Sequence, residues 1–208
     1  MTNLPIAQMY LELGWNVITY DQRGAGDNAD SKVTFGYYEK LDIQAWVDYA
    51  HTQLQSGQIV VHGQSMGAAS TVLYAVTEHA QEHVDAVVLD SCFGSMEEMF
   101  LGVWREMEGI EGIPEDYVVG CGDLYMKACY GFGFDDTDVC EKMKENKIST
   151  LMLHMEQDDI VSTEKANEMF KNIVAENKEI CYFNSEHIEG ITDEPEKYEN
   201  AVFSFLGE

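Results

Sequence analysis

The sequence predicts an α/β domain, a doubly wound and mostly parallel sheet carrying a helical insertion. Three observations predict it. Short apolar runs alternate with longer stretches of helical period, the order of strand–helix–strand units. The runs are rich in Val and Ile without polar alternation, which marks strands covered on both faces. The interval 93–147 carries no strand pattern and is too long for a single crossover helix.

Taken in order, MTNLPIAQMYLELGW lacks a basic start and an apolar middle, so it reads as an amphipathic helix over 4–13 rather than a signal peptide. WNVITYD (15–21) is the first predicted strand, followed by a helix over 37–55. QIVVHG (58–63) is the second strand and leads into a small-residue helix over 66–81. VDAVVLD (84–90) is the third. The insertion follows, with SMEEMFLGVWREMEG and EDYVVGCGDLYMKACYGFGF as its helical segments. STLMLHM (149–155) resumes the sheet, then a helix over 163–176 opening at Thr163–Glu164, and KEICYF (178–183). A last helix over 195–206 starts with Asp193 and Glu194 ahead of Pro195, a proline placed where a first turn tolerates it. The division is therefore a core of 1–92 and 148–208 with a lid of 93–147.

A chain of 208 residues with 45% hydrophobic content fits one soluble domain. No apolar run reaches the roughly 18 residues of a membrane span. Five scattered cysteines, odd in number and without a CxxC pair, fit reduced thiols in a cytoplasmic setting and neither a disulfide frame nor a zinc site. The balance of 12 basic against 38 acidic residues gives a net charge of −26. That field repels nucleic acid and anionic headgroups and disfavours a polyanionic substrate. No metal or cofactor pattern occurs, so activity is expected to survive chelation.

The chemistry concentrates in IVVHGQSMGAAST (59–71), where a serine sits between two glycines at a strand-to-helix junction. A nucleophilic hydroxyl must stand clear of its neighbours, and a tight, strained turn achieves this. Gly63 and Gly67 are expected to relieve crowding on either side of Ser65. The helix starting there aims its amides at developing negative charge, and the Met66 N–H is the expected oxyanion donor. A bare GxSxG is a weak signal; its place between a strand and a small-residue helix strengthens it.

Such a serine needs a base, and the base an orienting acid, in the order Ser, acid, His on this scaffold. HMEQDDIVS places Asp158 and Asp159 just past one strand, and NSEHIEG places His187 just past the last. His187 is the candidate base. Asp158 is the first candidate acid, with Asp159 and Asp90, which also ends a strand, as alternatives. His62 lies inside a strand, His51, His79 and His83 on or near helices, and His154 at a strand end, so structural roles are expected for them. Arg23 and Arg105 are read as surface or structural ion pairs before carboxylate anchors.

Four segments resemble the α/β-hydrolase superfamily, in particular bacterial hydrolases described as serine-aminopeptidase-like or lysophospholipase-like. GWNVITYDQRGAGDN is similar to its D-x-R-G-x-G loop region, and VVHGQSMGAAS to its nucleophile elbow. LMLHMEQDDIVS resembles the H-G-x-x-D-x-x-V-P acid loop, with Met155 for the glycine and Ser162 for the proline. SEHIEGITDEPEKYENAVFSFL resembles the histidine loop and last helix. The resemblance implies catalytic Ser65, Asp158 and His187. It also implies strands ahead of residue 1, one of them central and bearing a loop with a second oxyanion amide. The expectation is thus an N-terminally truncated frame of a longer protein, with closure of the gap by the remaining strands, or supply of the missing piece by another chain, as the alternatives.

The leading functional expectation is a serine hydrolase, carboxylesterase- or lipase-like, acting on a small molecule with an apolar acyl group. The Met- and aromatic-rich lid (Met96, Met99, Phe100, Trp104, Tyr125, Met126, Phe132) suits such a group or packs as ordinary core. A peptidase on the same scaffold and a catalytically impaired binding protein are the alternatives.

Overall fold

The computed structural model describes residues 4–28, 32–54, 57–107 and 112–207. Helix α1 (Leu4–Glu12) buries Ile6, Met9 and Tyr10, which share one face at spacings of three and four. A 3-10 turn (Gly26–Asn28) precedes α2 (Glu39–Gln53); residue 55, the last of the helix expected there, lies outside the described residues. Strand β1 (Val60–Gln64) runs into α3 (Met66–Ala75), then α4 (Glu78–His83) and β2 (Ala86–Asp90). Next come α5 (Met96–Glu106), α6 (Glu115–Tyr130) and the single turn α7 (Val139–Lys142). The chain closes with β3 (Ser149–Met155), α8 (Thr163–Asn172), β4 (Lys178–Phe183), α9 (Gly190–Asp193) and α10 (Pro195–Leu206).

The four strands form one sheet in sequence order, every pair parallel. Apolar residues of β2 alternate between two cores. Val87 and Leu89 pack with Ile43 and Val47 of α2, Val72 and Tyr74 of α3 and Met169 of α8. Ala86 and Val88 pack with Ile6 and Tyr10 of α1 and Tyr198 and Val202 of α10. Helices thus cover both faces, and the period of two along the strand divides its side chains between them.

Three expectations change. The helix expected over 163–176 ends at Asn172, because Ile173 takes extended backbone. The helix expected over 66–81 is two helices, because Thr77 has extended backbone and its hydroxyl accepts the Ala80 N–H at 3.2 Å, the arrangement of an N-cap. The strand expected over 15–21 forms no strand. It is apolar enough, but a strand is defined by its ladder, and among the described residues no backbone hydrogen bond joins 16–21 to β1. A cavity of about 510 Å³ lies instead between residues 15–22 on one wall and 58–67 on the other. Among the described residues the outer edge of β1 therefore has no ladder partner.

No strand occurs among the described residues of 93–147; residues 108–111 lie outside them. An antiparallel bridge between Ser95 and Asp138 draws the two ends of this interval together. Phe132 and Met126 are buried, whereas Tyr125 and Leu124 are exposed. The Phe132 ring stacks on Tyr37, centroids 4.2 Å apart.

Candidate active site

Ser65 occupies the turn between β1 and α3 with φ 50° and ψ −114°, a region that non-glycine residues avoid unless their surroundings impose it. Two constraints impose it here. The Ser65 N–H bonds the Asp90 carbonyl at 2.8 Å, extending the β1–β2 ladder, and the Ser65 carbonyl accepts the Ala69 N–H at 3.1 Å, beginning α3. Gly63 makes this possible: a Cβ there would sit 2.3 Å from the Gly67 carbonyl oxygen. Gly67 is different. A Cβ at that position meets nothing within 4 Å, so the crowding expected there falls on its carbonyl rather than on its missing side chain. Met66 is the first residue of α3, and its N–H has no acceptor within the helix.

The Ser65 hydroxyl lies 2.9 Å from His187 Nε2. His187 Nδ1 lies 2.7 Å from Asp158 Oδ2. Asp158 Oδ1 accepts the N–H groups of Ile160 and Val161, each at 2.9 Å. The Asp158 side chain is wholly buried and that of His187 is 13% exposed. Burial pushes the Asp158 carboxyl up, but the bonds from His187, Val161 and Ile160 outweigh it and hold it below its ordinary value. With the carboxylate ionised, Nδ1 keeps its proton and Nε2 offers its lone pair to the serine hydroxyl.

Of the other acids, Asp159 is exposed. Asp90 is buried, and its carboxylate bonds groups other than the imidazole. Its Oδ2 accepts the Tyr198 hydroxyl (2.7 Å) and the Gln64 amide (2.8 Å), and its Oδ1 accepts the Ser91 hydroxyl (3.1 Å). Burial pushes its carboxyl up to about 6 despite those three donors. The chain continues backwards: His62 Nε2 is 3.0 Å from the Tyr198 oxygen and His62 Nδ1 is 3.2 Å from the Tyr10 hydroxyl. Since Tyr198 gives its proton to Asp90, His62 donates from Nε2 and accepts at Nδ1. Burial lowers the His62 imidazole to about 3, although the residue keeps some exposure toward the cavity it lines.

The remaining candidates fall elsewhere. His154 is buried beneath the Tyr182 ring, edge to face. His79 bridges Tyr74 and Asp48 and stacks on His83, and His51 sits edge-on to His83. Arg23 forms a two-pronged pair with Asp42, and Arg105 another with Glu115. Among the described residues, no group of three or more His, Cys, Asp or Glu is placed to hold a metal. No helix among them is long and apolar enough to cross a membrane. Sequence reasoning passed over Ser91, whose left-handed backbone (φ 50°) turns its hydroxyl toward the histidine loop, where it accepts the Ile188 N–H at 3.1 Å. A polar Asp–Ser pair ending the apolar run AVVL was the available signal.

A family model for the alpha/beta hydrolase fold matches residues 5–110. The chain belongs to the α/β-hydrolase family. This α/β hydrolase is 24% identical over 207 residues to the uncharacterized protein YqkD of Bacillus subtilis, a match covering 99% of this chain and 67% of that protein. It is 31% identical over 161 residues to protein bem46 of Schizosaccharomyces pombe, covering 76% of this chain and 47% of that one. The hydrolase thus spans two thirds of one curated relative and about half of the other. Among solved structures, the Pyrococcus furiosus esterase Pf2001 superimposes with a TM-score of 0.75 at 22% identity, over 98% of this chain and 74% of that one.

Proposed function

We propose that this α/β hydrolase is a serine esterase for small molecules with an apolar acyl group. The single observation that carries the proposal is the run of short contacts from Ser65 through His187 to Asp158, 2.9 and 2.7 Å. Ser65 Oγ attacks the acyl carbonyl carbon while its proton passes to His187 Nε2. Asp158 stabilises the imidazolium and fixes its tautomer. The Met66 N–H donates to the oxyanion. The carbon–oxygen bond to the alcohol then breaks, and the alcohol takes the proton from Nε2. Water, deprotonated by the same nitrogen, releases the acid from the acyl-enzyme.

Support for an apolar acyl group comes from the walls beside Ser65, where Trp15, Val17, Val61 and Ile188 line the cavity. Helices α5 and α6 form the lid of this reading, although none of their residues lines the cavity beside Ser65. The five cysteines stand free, in keeping with a cytoplasmic setting. A solved esterase of the same fold is compatible with the reading.

Reaction with a fluorophosphonate probe tests it. The expected result is an adduct on Ser65, absent in Ser65→Ala and reduced at least 10³-fold in rate in His187→Ala. Folded protein that takes up no probe defeats the proposal. A panel of short and long acyl esters against aminoacyl amides then separates esterase from peptidase.

A further inference from the structure

We propose that Asp90 and Ser91 are positioning residues that hold His187 at bonding distance from Ser65, by tying the nucleophile's turn and the histidine's loop to one strand end. The inference rests on the serine-hydrolase reading for its kinetic meaning and on geometry for its substance. Asp90 grips both halves of the site. Its main-chain carbonyl accepts the Ser65 N–H at 2.8 Å. Its carboxylate accepts the Ser91 hydroxyl, and the Ser91 oxygen in turn accepts the Ile188 N–H, the amide immediately after His187. Ser91 itself is fixed to the sheet, its N–H bonding the Leu153 carbonyl at 2.9 Å.

The order of donors makes the tie depend on the carboxylate. Ser91 has one hydroxyl proton. While Asp90 takes it, a lone pair of the Ser91 oxygen faces Ile188. The carboxylate cannot turn away, since Tyr198 and Gln64 hold its other oxygen. Backbone strain points to the same residues. Among the described residues, the non-glycine residues with left-handed φ are Phe35, Ser65, Ser91 and Ile188. The last three are joined through Asp90 and Ser91. Strained backbone persists only where neighbours over-determine it, and here three of the four strained residues belong to the two-residue bridge or are held by it. Ile188 has no Cβ-free freedom of its own to keep φ at 62°. Once its amide loses Ser91, the loop is free to relax to an ordinary φ and draw the imidazole away.

The test compares this protein with its Ser91→Ala and Asp90→Asn variants by two readouts. The first is the second-order rate of fluorophosphonate reaction. The second is the low-field proton resonance of His187 Nδ1–H, assigned by its loss in His187→Ala. A misplacement of about 1 Å costs on the order of 10²-fold in rate, so Ser91→Ala is expected to react about 10–100-fold more slowly, with a cooperative melt retained and the resonance broadened or shifted. Should Ser91→Ala fail to fold, Asp90→Asn, which keeps the side chain's shape, carries the same comparison. Reaction within twofold of the parent together with an unmoved resonance overturns the proposal. If the parent itself takes up no probe, the esterase reading falls. The resonance still decides the positioning claim, because it reads the His187–Asp158 geometry whether or not Ser65 reacts.

Discussion

The two sides of β1 have opposite surroundings. On the inner side every residue from Val60 to Gln64 is registered against β2, and the ladder continues through Ser65 to the Asp90 carbonyl. On the outer side the same five residues face the cavity and a segment that makes no ladder with them. Val87 is wholly buried, whereas Val61, its register partner, is half-buried. The difference teaches where the site's rigidity originates. The serine, the histidine loop and the bridge between them are all fixed from the β2–β3 side, and the open side supplies room.

The largest test of that contrast lies on the closed side. Asp158→Asn presents an amide to His187 Nδ1 and favours the wrong imidazole tautomer. The fluorophosphonate rate is expected to fall about 10²–10⁴-fold with the fold retained, and an unchanged rate would detach the acid from the site. Next is Gly63→Ala, whose methyl would have to occupy space 2.3 Å from a main-chain oxygen. Backbone cannot give way as a side chain can, so chemical denaturation should show a loss of about 3 kcal/mol. The same substitution at Gly67, which meets no neighbour, should cost well under half of that.

A third test uses acid. The His62 imidazole is lowered to about 3, below its ordinary 6.5, so the native state refuses a proton that the unfolded chain accepts. Its contribution is fully present above pH 6.5 and is lost as pH falls toward 3. Asp90, raised to about 6, acts in the opposite sense: the native state keeps a proton that the unfolded chain has released, so stability is gained as pH falls from 6 toward 4. Denaturation at a series of pH values should show His62→Gln flattening the acid limb by about 2–3 kcal/mol, and Asp90→Asn steepening it. The reverse pattern would mean that the chain from Tyr10 to Asp90 is wired differently. The smallest test compares Val87→Ala with Val61→Ala. Loss of two buried methyl groups and the space they leave should cost about 2 kcal/mol at Val87 and under about 1 kcal/mol at Val61. Equal costs would say that the outer side of β1 is closed after all.

Much of the frame was legible because it is written in local chemistry. The apolar runs at 58–63 and 84–90 became strands shifted by one or two residues at their ends, and those at 149–155 and 178–183 became strands with the expected bounds. Ser65, Asp158 and His187 each follow a strand end closely, and that placement brought them together in space. What escaped depends on partners. WNVITYD has the same composition as the others, yet a strand exists only against a neighbour, and nothing within seven residues says whether one is present. Gly67 was misread because the sequence shows two flanking glycines alike, while the turn crowds only one. Ser91 was missed because the polar pair that ends AVVL marks a strand end, while the positive φ that aims the hydroxyl leaves no trace in residue type.

Among the described residues the outer side of β1 has no ladder partner, and the cavity stands beside it. An unclaimed row of main-chain donors and acceptors is a template onto which another polypeptide can be zipped. The surplus of acidic side chains, −26 overall, keeps two such flanks apart while counter-ions are sparse, and added electrolyte thins that repulsion to about 10 Å at 0.1 M. Salt leaves the buried ladder between β1 and β2 untouched, so what it changes at β1 is confined to the half-buried side that faces the cavity.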